Sequence, residues 1–134
     1  MKIVPYLNFN GACAEAFAFY AKALGGTIDA MMKYEGTPAE AQAPKDMADR
    51  VLHVQLSAGS FQLMGSDVPP GMFSKPQGFA VALTFSSAKE GQPVWDALSQ
   101  GGTVRMPFQK TFFADAYGEV TDRFGTPWLI YCGV

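Results

Sequence analysis

The apolar positions of this chain alternate between two periods. In "RVLHVQLSA" (residues 50–58) they recur at every second residue, the signature of a strand with one buried face. In "ACAEAFAFYAKAL" (12–24) Cys13, Phe17, Tyr20 and Leu24 recur every three or four residues in an alanine-rich setting, which predicts a helix. Residues 2–9 predict a strand with Pro5 at an edge position or an irregularity, then Asn10-Gly11 turns the chain into the helix. Gly25-Gly26 ends that helix. Strands follow at 27–34, 50–58 and 61–66, the last two joined by a turn at Gly59-Ser60. Between the first two, residues 35–49 are polar and rich in Ala and Pro, and are expected to form a mobile loop. Residues 67–78 hold three Pro and two Gly, which is linker chemistry. Beyond them the order repeats: strand 79–86, helix 87–100, extended segment 103–113, and a closing hairpin from 116–122 and 126–132. Ser87 and Glu90 have capping-box spacing. Gly91 weakens the first turns, and Pro93 is expected near the start of the regular helix.

The two halves also match in residues. Leu7, Phe9, Gly25, Gly26 and Thr27 correspond to Leu83, Phe85, Gly101, Gly102 and Thr103 at a constant offset of 76. Gly59 and Gly125 correspond at an offset of 66. The chain therefore reads as an α+β protein of two βαβββ modules, 1–66 and 79–134, with 67–78 as linker. A module of this kind covers one face of its sheet with its helix and leaves the other open. Two modules, paired within the chain or swapped in a dimer, are expected to form an open, curved, cleft-bearing sheet with room for a small molecule.

Composition narrows the function classes. The chain has 134 residues, 16% of them charged, and a net charge of -2, with no basic run to meet nucleic acid or an anionic membrane. No apolar stretch is long enough to span a bilayer, and the N-terminus is too quickly polar for a signal peptide. A cytoplasmic location is expected. Cys13 and Cys132 are far apart and outside any CxxC motif, so they are expected to be buried core thiols and not a disulfide.

"PYLNFNGACAEAFAFYAKALGG", "HVQLSAGSFQLMGSD" and "MPFQKTFFADAYGEVTDRFGTPW" give the chain a resemblance to the vicinal oxygen chelate superfamily, which includes glyoxalase I, extradiol dioxygenases and bleomycin-resistance proteins. It most resembles the PhnB-like branch, which carries an old label linking it to demethylubiquinone methyltransferase. The spacing of Gln109, Phe113, Gly118, Asp122, Gly125 and Trp128 carries the most specific part of this resemblance. No glycine-rich nucleotide loop follows the first strand, so methyl transfer gains no support from the residues themselves. In metal-dependent members each module gives one ligand from its first strand and one from its last. Carried over by the repeat, those positions are Val4, Leu63, Ala80 and Leu129. All four are apolar, and no cofactor is expected.

On the faces that remain, strand parity groups Tyr6 and Asn8, Ala82 and Thr84, and Tyr131. His53 and Gln55 share a face, and the offset of 66 makes Glu119 and Thr121 their counterparts. A titrating imidazole oriented by a carboxylate is an acid–base pair; the plainer reading is a hydrogen-bonded His and a surface Glu. Phe108, Phe112, Phe113, Tyr117, Trp128 and Tyr131 either line a pocket or fill the core and a dimer interface. Arg105, Gln109 and Lys110 precede them, with Gln109 a candidate contact to a ligand. Asp122 and Gly125 read as turn chemistry. The expected function is metal-independent binding of a small organic molecule by a homodimer, at a site drawn from Tyr6, Asn8, Gln55, Gln109, Phe113, Thr121, Trp128 and Tyr131. The alternatives are a metal-free enzyme using His53 and Glu119, and a metal-dependent lyase or dioxygenase with displaced ligands.

Overall fold

The computed structural model describes residues 1–133. The chain divides into two compact units, Met1–Ser74 and Lys75–Val134. The first contains β1 (Tyr6–Phe9), α1 (Cys13–Leu24), β2 (Thr27–Lys33), β3 (Val51–Ala58) and β4 (Phe61–Asp67). Its sheet has the order β1-β4-β3-β2, with β1 and β4 parallel and the other neighbours antiparallel. The second contains β5 (Val81–Phe85), α2 (Ala88–Ser99), β6 (Thr103–Gln109), β7 (Ala116–Thr121) and β8 (Pro127–Cys132). Its order is β5-β8-β7-β6, with the same pattern of directions. Each unit is thus an α+β module with an open four-stranded mixed sheet.

Each helix covers one face. In the first unit Phe17 and Tyr20 on α1 are fully buried with Leu7, Phe9, Val54, Leu56 and Leu63. The helix comes close enough that a Cβ added to Gly65 would lie 2.6 Å from the Phe17 ring. In the second, Trp95 and Leu98 on α2 pack over Val120, Trp128, Ile130 and Cys132. Burial of each large side chain contributes about 1.5–3 kcal/mol. Ser87 caps α2 by accepting from the Glu90 amide at 3.3 Å. Pro93 lies inside α2, not at its start.

The paired glycines explain the repeat. Gly25 and Gly101 sit at φ 65° and 71°, the left-handed conformation that reverses the chain after a helix. The glycine after each runs against the third strand of its sheet. A Cβ on Gly26 would lie 2.7 Å from the Ser57 carbonyl oxygen, and one on Gly102 2.5 Å from that of Thr121. Backbone cannot yield there as a side chain can. Gly102→Ala is therefore expected to lower unfolding stability by about 2–3 kcal/mol through overpacking. Gly71→Ala, which has open space around it, should stay within about 0.5 kcal/mol; urea titration of both variants checks this.

Register corrects the sequence alignment of the two halves. Tyr6 pairs with Met64 and Met64 with Gln55, while Ala82 pairs with Leu129 and Leu129 with Glu119. Gln55 therefore corresponds to Glu119, and by the same register His53 corresponds to Tyr117, not to Glu119. Met64, not Leu63, corresponds to Leu129; Leu63 faces the helix and is 5% exposed. The two hairpins differ in length, with four residues between Ser57 and Gln62 and five between Thr121 and Pro127. Matching their turn glycines hid that extra residue.

Two segments also differ from expectation. Residues 35–49 are not a free loop: they form 3-10 turns at Pro38–Gln42 and Lys45–Met47, and Met47 is fully buried. The Tyr34 and Glu35 amides donate to the Arg50 and Ala48 carbonyls, closing the segment at its base. Asp67 is the last residue of β4 and 1% exposed, so it belongs to the first module and not to a linker. Its Oδ1 accepts from the Gly11 and Cys13 amides at 2.7 and 3.1 Å, and its Oδ2 from the Val51 amide at 3.0 Å. Both cysteines are free and buried. Burial and, for Cys13, the neighbouring Asp67 carboxylate push both thiols up, which keeps them protonated and inert.

Candidate functional site

The uncovered face of the second sheet holds a cavity of about 540 Å³. Two cross-strand rows build it. Ala82, Leu129, Glu119 and Met106 are consecutive partners across β5, β8, β7 and β6; Thr84, Tyr131 and Tyr117 form the next row on the same face. Residues two apart on a strand share a face, so Leu129 and Tyr131 arrive together, as do Glu119 and Tyr117. Phe113, from the segment between β6 and β7, completes the wall.

The three rings are in contact. Phe113 and Tyr131 stack at 5.7 Å between centroids and 27°, and Tyr117 stands nearly perpendicular to both, at 5.2 Å and 70° from Phe113 and 5.4 Å and 85° from Tyr131. Tyr117 Oη donates to Glu119 Oε1 at 2.8 Å. Burial, followed by the hydrogen bond and charge of Glu119, pushes the Tyr117 phenol up to about 12. Tyr117 therefore remains a neutral donor at physiological pH and fixes one oxygen of the carboxylate.

The open face of the first sheet is more polar. Tyr6 and Asn8 are exposed on β1, with Gln55 and His53 half-buried on β3. Tyr6 Oη and His53 Nδ1 lie 3.1 Å apart, and the two rings stack at 5.8 Å. His53 belongs to the first unit and Glu119 to the second, and each has a tyrosine of its own sheet as partner.

Three predicted contacts lie elsewhere. Trp128 is on the helix-covered face, 1% exposed, with Nε1 donating to Asp122 Oδ2 at 2.9 Å. It belongs to the core because its neighbours Leu129 and Tyr131 take the opposite parity. Gln109 is exposed on the edge strand opposite Tyr117, and Thr121 is half-buried at the far end of β7; neither lines the cavity. Phe108 also leaves the aromatic group, stacking on Trp95 at 5.4 Å. Met106 and Phe108 would share a face in a regular strand. β6 has register shifts on both sides of Met106, so Met106 reaches the cavity while Phe108 reaches Trp95 on the helix side. Alternation alone could not show that. The Tyr117–Glu119 pairing was available from their spacing of two.

The donor chemistry does not fit the divalent metal that the fold implies. Such an ion takes imidazole or carboxylate ligands. The strand positions that correspond between the units carry Met64 and Leu129 on the last strands, and Glu119 is the one carboxylate lining the cavity. Among the described residues no three of His, Cys, Asp and Glu cluster so as to hold an ion. No helix among them is long and apolar enough to cross a membrane.

Two βαβββ modules with parallel outer pairs and uncovered faces define a glyoxalase-like fold. Comparison with solved structures agrees: a glyoxalase-related enzyme from Fulvimarina pelagi superposes with a TM-score of 0.65 at 17% identity, covering 98% of this chain and 88% of that one. The family model described as 3-demethylubiquinone-9 3-methyltransferase matches residues 1–131, and the chain belongs to that family. Protein YjdN of Escherichia coli (strain K12) is 32% identical over 138 residues, 97% of this chain and 94% of that protein. The crystal structure of protein PA1353 from Pseudomonas aeruginosa is 41% identical, with a TM-score of 0.89 over 98% of this chain and 97% of that one.

Proposed function

We propose that this protein binds a small organic molecule, without a metal ion, in the cavity on the open face of its second sheet. The observation that carries this reading is the wall of Phe113, Tyr117 and Tyr131 over a floor of Ala82, Leu129 and Met106. An apolar, aromatic-lined concavity with a few placed polar groups is the usual form of a small-molecule site. Metal independence rests on the apolar residues at the strand positions where relatives with a metal carry ligands. The family's description names a methyltransferase, but the first strand is followed by an Asn-Gly turn without a glycine-rich loop, which gives methyl transfer no support. A His53–Glu119 acid–base pair has less support, because each residue is engaged by a tyrosine of its own unit. We further propose that the protein acts as a homodimer; a monomer in sedimentation at micromolar concentration would count against it.

Ligand-detected NMR with a panel of one- and two-ring aromatic molecules tests the binding reading. Binding should appear with the wild type and weaken about tenfold in Phe113→Ala, which removes a stacking wall worth roughly 1–1.5 kcal/mol. If no member of the panel binds, the cavity is not a ligand site. Elemental analysis after purification without chelator addresses the metal: one tightly held divalent ion per chain would overturn metal independence.

A further inference from the structure

We infer that the cavity of the second unit selects a positively charged ligand, an organic amine or ammonium group, with Glu119 as its counter-charge; this rests on the reading of the cavity as a binding site. The residues lining it include one carboxylate and no Lys, Arg or His. Glu119 stands at the centre of the floor, paired across the sheet with Leu129 on one side and Met106 on the other, so no protein cation neutralises it from its own row. Tyr117 fixes Oε1 by hydrogen bond, and among the described residues Oε2 has no protein partner. A ligand that covers this floor strips water from the carboxylate, which costs free energy unless the ligand itself compensates the charge. The wall beside it supplies the second half of a cation site. Phe113, Tyr117 and Tyr131 offer three aromatic rings at stacked and perpendicular angles, and aromatic faces attract cations through the ring quadrupole. An anion would meet the Glu119 charge with no donor to offset it except hydroxyl groups. A neutral ring would gain the stacking and leave the carboxylate uncompensated. An ammonium group attached to an apolar or aromatic body uses both features at once.

The test compares three ligands of the same size, benzylammonium, benzyl alcohol and benzoate, by NMR titration of the intact protein at low ionic strength, followed on Phe113, Leu129 and Tyr131 resonances. Benzylammonium should bind about tenfold more tightly than benzyl alcohol, with benzoate weakest. In Glu119→Gln, which keeps an acceptor for the Tyr117 hydroxyl, the roughly tenfold preference for the ammonium over the alcohol should disappear. Unaltered backbone spectra establish that the variant is folded. Equal binding of ammonium and alcohol to the wild type, or an ammonium preference that survives Glu119→Gln, overturns the inference while leaving the cavity as a binding site. Binding of none of the three at this face removes the binding reading and the inference together.

Discussion

Asp67→Ala is expected to destabilise the first unit by about 3–5 kcal/mol, a large part of the stability of a domain this size. One carboxylate gathers three backbone amides from separate parts of the chain: Gly11 and Cys13 at the entry to α1, and Val51 at the start of β3. Its own carbonyl accepts from the Tyr34 hydroxyl at 2.8 Å, which ties the end of β2 to the same place. Alanine would leave the Cys13 and Val51 amides buried without their acceptor, and each such loss costs about 1–3 kcal/mol. Asp67→Asn separates this account from simple loss of volume. Its amide oxygen can serve Gly11 and Cys13, but its NH2 then faces the Val51 N–H, donor against donor. The expected order of urea midpoints is wild type, then Asp67→Asn, then Asp67→Ala. An alanine variant within about 0.5 kcal/mol of the wild type would show that the amides find other partners.

Asp122→Ala should have the second largest effect, about 2–4 kcal/mol, and should act on the second unit. Asp122 Oδ1 accepts from the Phe124 and Thr126 amides at 2.8 and 3.0 Å, shaping the hairpin turn, and Oδ2 accepts from the Trp128 indole at 2.9 Å. The turn and the core beneath it are thus held by one side chain. The two indoles provide an internal comparison. Hydrogen exchange of the Trp128 N–H should accelerate in Asp122→Ala well beyond that of Trp95, which packs on Phe108. Equal acceleration of both would mean that the unit loosens as a whole and that the Asp122–Trp128 bond has no special part. This turn is on the covered side of the sheet, so the prediction concerns stability and not the cavity.

Asp67 and Asp122 show how differently two aspartates could be read. Asp122 precedes a Gly at a turn, and its local amide bonds follow from spacing of two and four residues. Its indole bond was not legible, because strand alternation does not say which face is covered. Trp128 and Tyr131, three residues apart, take opposite faces of a regular strand, so alternation itself spoke against grouping them as contacts. Asp67 stood at the edge of a Pro- and Gly-rich run and read as linker, since its partners lie 56, 54 and 16 residues away.

The order of elements, the repetition of a βαβββ module and the grouping of Ala82, Thr84 and Tyr131 on one face were all legible in the amino-acid sequence. These follow from short-range periodicity and from glycines whose backbone requirements are local. The register between strands came from the folded sheet, and with it the correspondence of Glu119 to Gln55, the contrast between Leu63 and Leu129, and the bulges that send Met106 to the cavity and Phe108 to Trp95. Register depends on hairpin length and on packing against the helix, and a shift of one residue exchanges the two faces of a strand. That is why the cavity walled by Phe113, Tyr117 and Tyr131 takes form only once the sheet is assembled.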